Sequence, residues 1–299
     1  MHFLAVTNGS PFLRLQSHPM DPVRIAELLH PFLDPSDGVP PRSPRVPHPS
    51  AFSALGWEPV TTGPDPCHSE RTSVPEASPE RSRRESASLT PSQLQNISTY
   101  IDLLLRWNAR INLTAIRDPE EIVTRHFGES LFAARCLFPK AAPQRVPHPA
   151  RLSQGGIAHD EQLRTHDLID FGSGAGFPGL PMKIWAPHVR LTLIESNQKK
   201  ATFLREAIRA LTLTDINVFS ARAEDFPEQA AVVTLRAVER FETALPIAAR
   251  LLAPRGRLAL LIGRSQADRA LQLLPSFRWS DPIPVPLSAS RILLTGTVD

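Results

Sequence analysis

Leu168-Ile169-Asp170-Phe171-Gly172-Ser173-Gly174-Ala175-Gly176-Phe177-Pro178-Gly179-Leu180-Pro181 joins a short apolar run to a helix start through three alternating glycines. Such text describes a strand that ends in a tight turn beneath a ligand. Glycine accepts positive φ at little steric cost, and its missing Cβ lets a ligand approach the backbone. The spacing is G-x-G-x-G. The dinucleotide fingerprint, G-x-G-x-x-G, would place glycine where Phe177 stands, so the loop disfavours NAD.

Asp170 precedes the first glycine, and Glu195 ends the next apolar run, Arg190–Ile194. This pair of acids fits a site that holds an uncharged ribose through its hydroxyls, and S-adenosylmethionine is a ligand of that kind. It has no pyrophosphate, so Asp170 is tolerable beside it and can face its ammonium and sulfonium charge. The structural alternative is an ordinary glycine-rich strand–helix turn.

Downstream of the loop the pattern alternates. Strands are expected at about 168–171, 190–194, 216–220, 231–235 and 257–262, separated by helical text such as Asn197–Leu211, where Phe203, Ala207 and Ala210 or Leu211 form a stripe. That alternation predicts a doubly wound, Rossmann-like, mostly parallel sheet. Trp279–Val285 and Arg291–Val298 have no helix between them, so the sheet should finish with an antiparallel hairpin. A terminal antiparallel strand belongs to class I S-adenosylmethionine-dependent methyltransferases rather than to dinucleotide dehydrogenases, which makes a seven-stranded α/β sheet over 167–299 the expected methyltransferase domain.

Upstream, Met20-Asp21-Pro22-Val23 opens a helix with Ile25, Leu28, Leu29 and Phe32 on one apolar face. Residues 1–19 lack periodicity and read as a disordered tail or as text upstream of the true start. In 34–88, eleven prolines are interspersed with Ser, Arg and Glu, a composition that cannot bury enough apolar surface to offset its ordering entropy. A second disordered insertion is expected at 141–166, where Arg145–Pro149 repeats Arg45–Pro49. Between the insertions Thr90 caps a helix, with Pro91 at its first position and Gln93 completing a capping box. Leu94, Ile97, Ile101 and Leu104 mark its buried face. An acid-headed helix follows from Asp118 through Arg125 and His126 to Phe138. Segments 20–33 and 89–140 thus form a small N-terminal helical subdomain. Asn108 and Asn112, four apart, suit either local backbone capping or substrate contact.

Apolar content of 41% over 299 residues supplies a core, and no window approaches a membrane span. The N-terminus has no signal-peptide pattern, so a cytoplasmic protein is expected. Cys67 and Cys136 lie far apart in unlike text, so neither a disulfide framework nor a zinc site is suggested, and the histidines show no metal-ligand spacing. The net charge is only +3, but 33 Lys and Arg leave room for a local basic face.

Taken together, these stretches resemble the bacterial RsmG (GidB) methyltransferases, which methylate N7 of a guanine in the 530 loop of 16S ribosomal RNA. The likeness rests on Arg106–Ile116, Arg125-His126 with Glu129–Leu131, Asp170–Leu180, Lys199-Lys200 with Phe203-Leu204, Arg222–Glu224 and Arg236-Ala237. It implies S-adenosylmethionine as cofactor, 16S rRNA or a small ribosomal subunit particle as partner, and a monomer. It places the cofactor at Asp170, Gly172, Ser173, Gly174, Gly176 and Phe177, the ribose hydroxyls at Glu195, and the adenine beside Ala223 and Glu224. Arg236 at the end of the fourth strand borders both cofactor and substrate and positions the base. Arg125, Lys199, Lys200 and Arg205 would grip the RNA.

Guanine N7 carries a lone pair and no hydrogen, so its methylation needs in-line approach without a general base. The Asn/Asp-Pro-Pro-aromatic text of amine methyltransferases is absent at Thr234–Val238, and neither cysteine is placed for attack on cytosine C5. The chain departs from the family at Ile262, where lysine is usual, at Lys200, where arginine is usual, and at Gly128-Glu129, which replaces an apolar-Asp pair. Rival readings are a class I methyltransferase for another RNA, a protein or a small molecule, a nicotinamide oxidoreductase, and a binding protein that kept the pocket without catalysis.

Overall fold

The structure is a computed structural model that describes residues 19–34, 88–140, 167–238 and 240–298. Apart from Pro19, Asp34 and Ser88, the stretches expected as tail and insertions (1–19, 34–88 and 141–166) lie outside the described residues.

One sheet organises the molecule. Its strands are β1 (Asp167–Phe171), β2 (Arg190–Ile194), β3 (Ile216–Phe219), β4 (Ala230–Arg236), β5 (Leu252–Gly263), β6 (Arg278–Trp279), β7 (Ile283–Pro284) and β8 (Arg291–Thr297). The order is β3-β2-β1-β4-β5-β8-β6, with β7 also paired to β8. Pairs among β1 to β5 are parallel, and β8 runs antiparallel to β5, β6 and β7. The seven expected strand positions are therefore present, but the edge strand expected over 279–285 is split in two. Pro282 has no amide hydrogen for the ladder, and Ser280 substitutes for regular pairing. Its N–H donates to the Thr295 carbonyl at 2.8 Å, and its hydroxyl lies 3.0 Å from Thr295 Oγ1.

Helices cover both faces. They are α1 (Pro22–Leu33), α2 (Pro91–Ile111), α3 (Pro119–Glu121), α4 (Glu129–Leu137), α5 (Gly179–Trp185), α6 (Gln198–Ala210), α7 (Phe241–Arg250) and α8 (Ala267–Leu273). Their starts follow the sequence. The Asp21 carboxylate accepts from Val23 N ahead of Pro22, Thr90 and Gln93 form the full capping box, and the Asn197 side chain accepts from both Lys199 N and Lys200 N.

The expected continuous helix from 118 to 138 is interrupted: between α3 and α4 the chain runs as a π-helix, Ile122–Gly128. Ile122 and Phe127, five residues apart, are both fully buried, and an i→i+5 turn brings that spacing onto one face. Gly128 lets this segment approach α1, because a Cβ there would stand 2.5 Å from the Phe32 ring.

Strand periodicity assigns side chains to the two faces. Leu168, Leu191, Leu193, Val232, Ala259, Leu261 and Leu293 join the core formed with α1, α2, the π-helix, α4, α5 and α6. Ile169, Ile194, Val233, Leu235, Leu258, Leu260, Ile262, Ile292 and Leu294 join the core under α7 and α8. By the same parity Asp170, Thr234, Arg236 and Arg291 turn toward the N-terminal helices, which share one continuous core with the sheet. Ile262 points into the opposite core at 1% exposure.

Candidate active site

The glycine loop is held from below and from the side. Gly172, Gly174 and Gly176 all have positive φ, at 67°, 57° and 87°. Ser173 N donates to the Ile194 carbonyl at 3.0 Å, and Gly174 N donates to Glu195 Oε2 at 2.8 Å, while Glu195 Oε1 accepts from Asn197 N at 2.8 Å. One carboxylate thus ties the loop to the start of α6. A Cβ on Gly174 would meet nothing nearer than the Gly172 carbonyl at 3.9 Å, so space lies beside the loop. A cleft of about 360 Å³ opens there, lined by Gly172, Glu195, Ala223, Glu224, Arg222 and Arg240 among others. It sits at the carboxyl ends of the central parallel strands, where open α/β sheets take their ligands. An adenosine group fits this lining. Each Glu195 oxygen has a further lone pair for a ribose hydroxyl, and Gly172 leaves the backbone bare.

Gly176 and Gly179 serve packing. A Cβ on Gly176 would collide with the Tyr100 hydroxyl and stand 2.7 Å from Leu180 Cδ1, and on Gly179 it would stand 2.8 Å from Asp170 Oδ2. Tyr100 donates to the Ala175 carbonyl. Its ring stacks on Phe177 at 5.4 Å, Phe177 stacks in turn on His126 at 4.7 Å, and Phe127 meets both Tyr100 and Phe177 edge-on. This aromatic column joins the loop to the N-terminal helices.

Beside the column lies a buried guanidinium. Arg236, at the end of β4, donates through NH2 to Glu129 Oε2 at 2.9 Å and to the Arg125 carbonyl at 2.6 Å, and its NH1 lies 3.3 Å from His126 Nδ1. Its Nε, buried, has no partner among the described residues. His126 therefore accepts at Nδ1 and carries its proton on Nε2, which faces Thr114 Oγ1 at 2.7 Å. Burial, then the guanidinium charges of Arg236, Arg125 and Arg291, push His126 down to about 3. The imidazole is neutral at physiological pH and both nitrogens are engaged, so it is not a proton acceptor for a reaction.

The family model described as rRNA small subunit methyltransferase G matches residues 93–143 and 156–281. The chain belongs to this family. The Ribosomal RNA small subunit methyltransferase G of Chloroflexus aggregans is 41% identical over 223 residues, which cover 70% of this chain and 83% of that relative. The protein of the same description from Xanthomonas campestris pv. campestris strain B100 is 36% identical, covering 62% of this chain and 78% of the relative. That from Roseiflexus sp. strain RS-1 is 42% identical, covering 56% and 67%. With its strand order and antiparallel last strand, this family member is a class I S-adenosylmethionine-dependent methyltransferase.

Against that identity, the positions read from the sequence divide. Gly172, Glu195, Ala223 and Glu224 line one cleft; Ser173 and Gly174, in the loop beside it, are not among its lining residues, although Gly174 N bonds to Glu195. Asp170, Gly176, Phe177 and Arg236 do not line it. Asp170, expected to be able to face the ligand's positive charge, is fully buried with its carboxylate turned inward: Oδ1 accepts from Thr234 Oγ1 at 2.9 Å and Oδ2 from Gly179 N at 3.1 Å. The reason is strand parity, which puts Asp170 on the same face as Leu168. Arg236, weighed against an ion pair with Glu239 or Glu242, pairs with Glu129 among the described residues, and Glu239 lies outside them.

The basic residues expected to grip RNA are dispersed in their contacts. Arg125 is half exposed and bonds to Glu129 at 3.3 Å, Arg205 donates to Ser220 Oγ at 3.0 Å, and Lys199 and Lys200 lie at the start of α6. Asn108 proves to be a capping residue: its Oδ1 accepts from Leu113 N and Thr114 N and its Nδ2 donates to the Thr114 carbonyl. Tyr100, Glu129 and Arg291 were missed as contributors. Strand parity could have signalled Arg291, while the contacts of Tyr100 and Glu129 span 75 and 107 positions and left no local signal. Among the described residues no group of His, Cys, Asp and Glu is arranged to hold a metal, and no helix is long and apolar enough to cross a membrane.

Asp170 and His126 leave opposite marks on stability. Burial pushes the Asp170 carboxyl from 3.8 up to about 6, against the hydrogen bonds from Thr234 and Gly179. Between those values the native state binds more protons than the unfolded chain, so this group's contribution to stability falls as pH rises. His126 binds its proton near 6.5 when unfolded and near 3 when folded, so its contribution rises with pH across that window. Asp170→Asn removes the first trend. Its urea-unfolding free energy should climb more steeply than that of the unaltered protein between pH 4 and 6; parallel curves would contradict the burial of an ionisable group at this position.

Proposed function

We propose that this chain transfers the methyl group of S-adenosylmethionine to N7 of a guanine in the 530 loop of 16S ribosomal RNA, presented as free RNA or as a small-subunit particle. We place it in the cytoplasm as a monomer. The cofactor supplies an electrophilic methyl on a sulfonium. Gly172, Ser173 and Gly174 hold its backbone-facing side, Glu195 takes the ribose hydroxyls, and Ala223 and Glu224 border the adenine.

The observation that carries this reading is the pairing of a cleft built around Glu195 with a guanidinium, rather than a base, at the end of β4. N7 presents a lone pair and no hydrogen, so the chain has only to orient the purine and exclude water. His126 is neutral and doubly bonded, and the Asp170 carboxylate is turned away from the cleft. Arg236 and the aromatic column of Tyr100, Phe177 and His126 are suited to orientation. Incubation with labelled S-adenosylmethionine tests the reading: 16S RNA from cells lacking the modification should take up label. Transfer to protein or small molecules, with none to RNA, would overturn it.

The RNA is proposed to lie across the face of Arg125, Lys199, Lys200 and Arg205. Contacts between these cations and phosphates release counterions, which gives a log–log salt slope of about −0.7 per contact for a single strand. Replacing Lys199 and Lys200 together by Ala should flatten that slope by about 0.7 to 1.4. S-adenosylhomocysteine affinity should stay as it was, because the amides of these residues, capped by Asn197, remain. An unchanged slope would place the RNA on another surface.

A further inference from the structure

Three guanidinium groups from three elements converge on one carboxylate. Glu129, whose side chain is 2% exposed, takes Arg236 of β4 at 2.9 Å, Arg125 of the π-helix at 3.3 Å and Arg291 of β8 at 3.8 Å. The arginines are unequally exposed: the side chain of Arg236 is 6% exposed, that of Arg291 24% and that of Arg125 46%. Among the described residues Asp170 is also buried, and its oxygens are taken by Thr234 and Gly179. Glu121 reaches Arg125 only at 3.9 Å from the solvent side. His126 adds no charge. Among the described residues the cluster therefore carries more cations than anions, and Glu129 is the buried charge that lowers the excess.

This matters because Arg236 ends β4 next to β1, with Thr234 in register with Asp170, beside the strand end from which the glycine loop departs. An unbalanced guanidinium there would repel a cationic cofactor. The proposed reaction keeps a positive charge in the crevice throughout. The N7 lone pair forms the N–C bond, the C–S bond breaks with its electron pair going to sulfur, and the charge passes from the sulfonium to the purine while no proton moves. A site for that reaction needs a fixed guanidinium without its field.

We propose that Glu129 is a positioning residue and the balancing charge of this site: it fixes the Arg236 guanidinium and offsets the Arg125–Arg236–Arg291 cluster, so that the crevice accepts a sulfonium. The proposal rests on the cofactor reading above. Gly128 admits the Phe32 ring, and the Glu129 side chain spans from α4 to both β4 and β8.

S-adenosylmethionine and S-adenosylhomocysteine share their adenosine, carboxylate and ammonium groups and differ in the sulfonium methyl, so the ratio of their affinities isolates the charge. Calorimetry with both ligands on the full chain should show Glu129→Gln weakening S-adenosylmethionine about tenfold, with S-adenosylhomocysteine changed by less than about threefold. Glu129→Asp should return the ratio to within about threefold of the unaltered protein. Arg291→Gln removes a cation from the same cluster and should move the ratio the other way, which keeps the test available should Glu129→Gln not fold. A ratio unmoved by Glu129→Gln, or moved in the same direction by Arg291→Gln, overturns the proposal. Failure of the unaltered protein to bind either ligand would overturn the cofactor reading itself, and the proposal with it.

Discussion

Gly176→Ala should lower the unfolding free energy by about 2–5 kcal/mol, combining the cost of a left-handed backbone for a residue with a Cβ and the cost of overpacking. The backbone there has φ 87°, and the new methyl would be driven into the Tyr100 hydroxyl and Leu180. Both neighbours are fully buried, so neither has room to retreat. Gly174→Ala is the control. It has positive φ as well but open space beside it, and should cost only the conformational part, about 1–2 kcal/mol. Denaturant titration of the pair checks the difference. Equal losses would mean that the loop is not anchored through Tyr100.

Glu195→Ala should weaken S-adenosylhomocysteine binding by about 1.5–3 kcal/mol, the range for hydrogen bonds to an ionised group, or roughly tenfold to more than a hundredfold. Two effects add. The ribose hydroxyls lose an acceptor, and the amides of Gly174 and Asn197 lose the oxygen that holds the loop against α6. Glu195→Gln should fall between, since an amide oxygen satisfies one of those amides but not both. Calorimetry decides this, and an affinity unchanged in Glu195→Ala would remove Glu195 from the cofactor site.

What the sequence revealed, and what it hid, follows from the range of the interactions. Capping is local, so the Thr90–Gln93 box and the Asn197 cap were readable from a few residues. The glycine spacing and the apolar runs are also local, and they were enough for the parallel sheet and its antiparallel ending. The Asp170 carboxylate shows where reasoning from a motif fails: an acid beside a glycine loop suggests a ligand, but its alternation with Leu168 turns it into the interior. The same parity, applied to Val232 and Arg236, would have aimed the arginine at the N-terminal helices. No local signal could supply its partner. Glu129 lies 107 positions away, directly after a π-helix whose fully buried Ile122 and Phe127 are five residues apart. Tyr100 was hidden for a similar reason, since its contact with Ala175 spans 75 positions. Of the dispersed lysines and arginines, Arg125 and Arg205 also make local contacts, with Glu129 and Ser220, that charge counts alone could not show.

Methyl transfer to guanine N7 in 16S rRNA is tested most directly by locating the methyl. Ribosomal RNA from cells lacking the modification is incubated with the full chain and S-adenosylmethionine, then cleaved chemically at 7-methylguanosine and read along the strand. The account predicts one new cleavage, at a guanine of the 530 loop, carrying all the transferred methyl. Methyl found on another atom or another base, or an RNA left unmethylated by a chain that binds the cofactor, would contradict it.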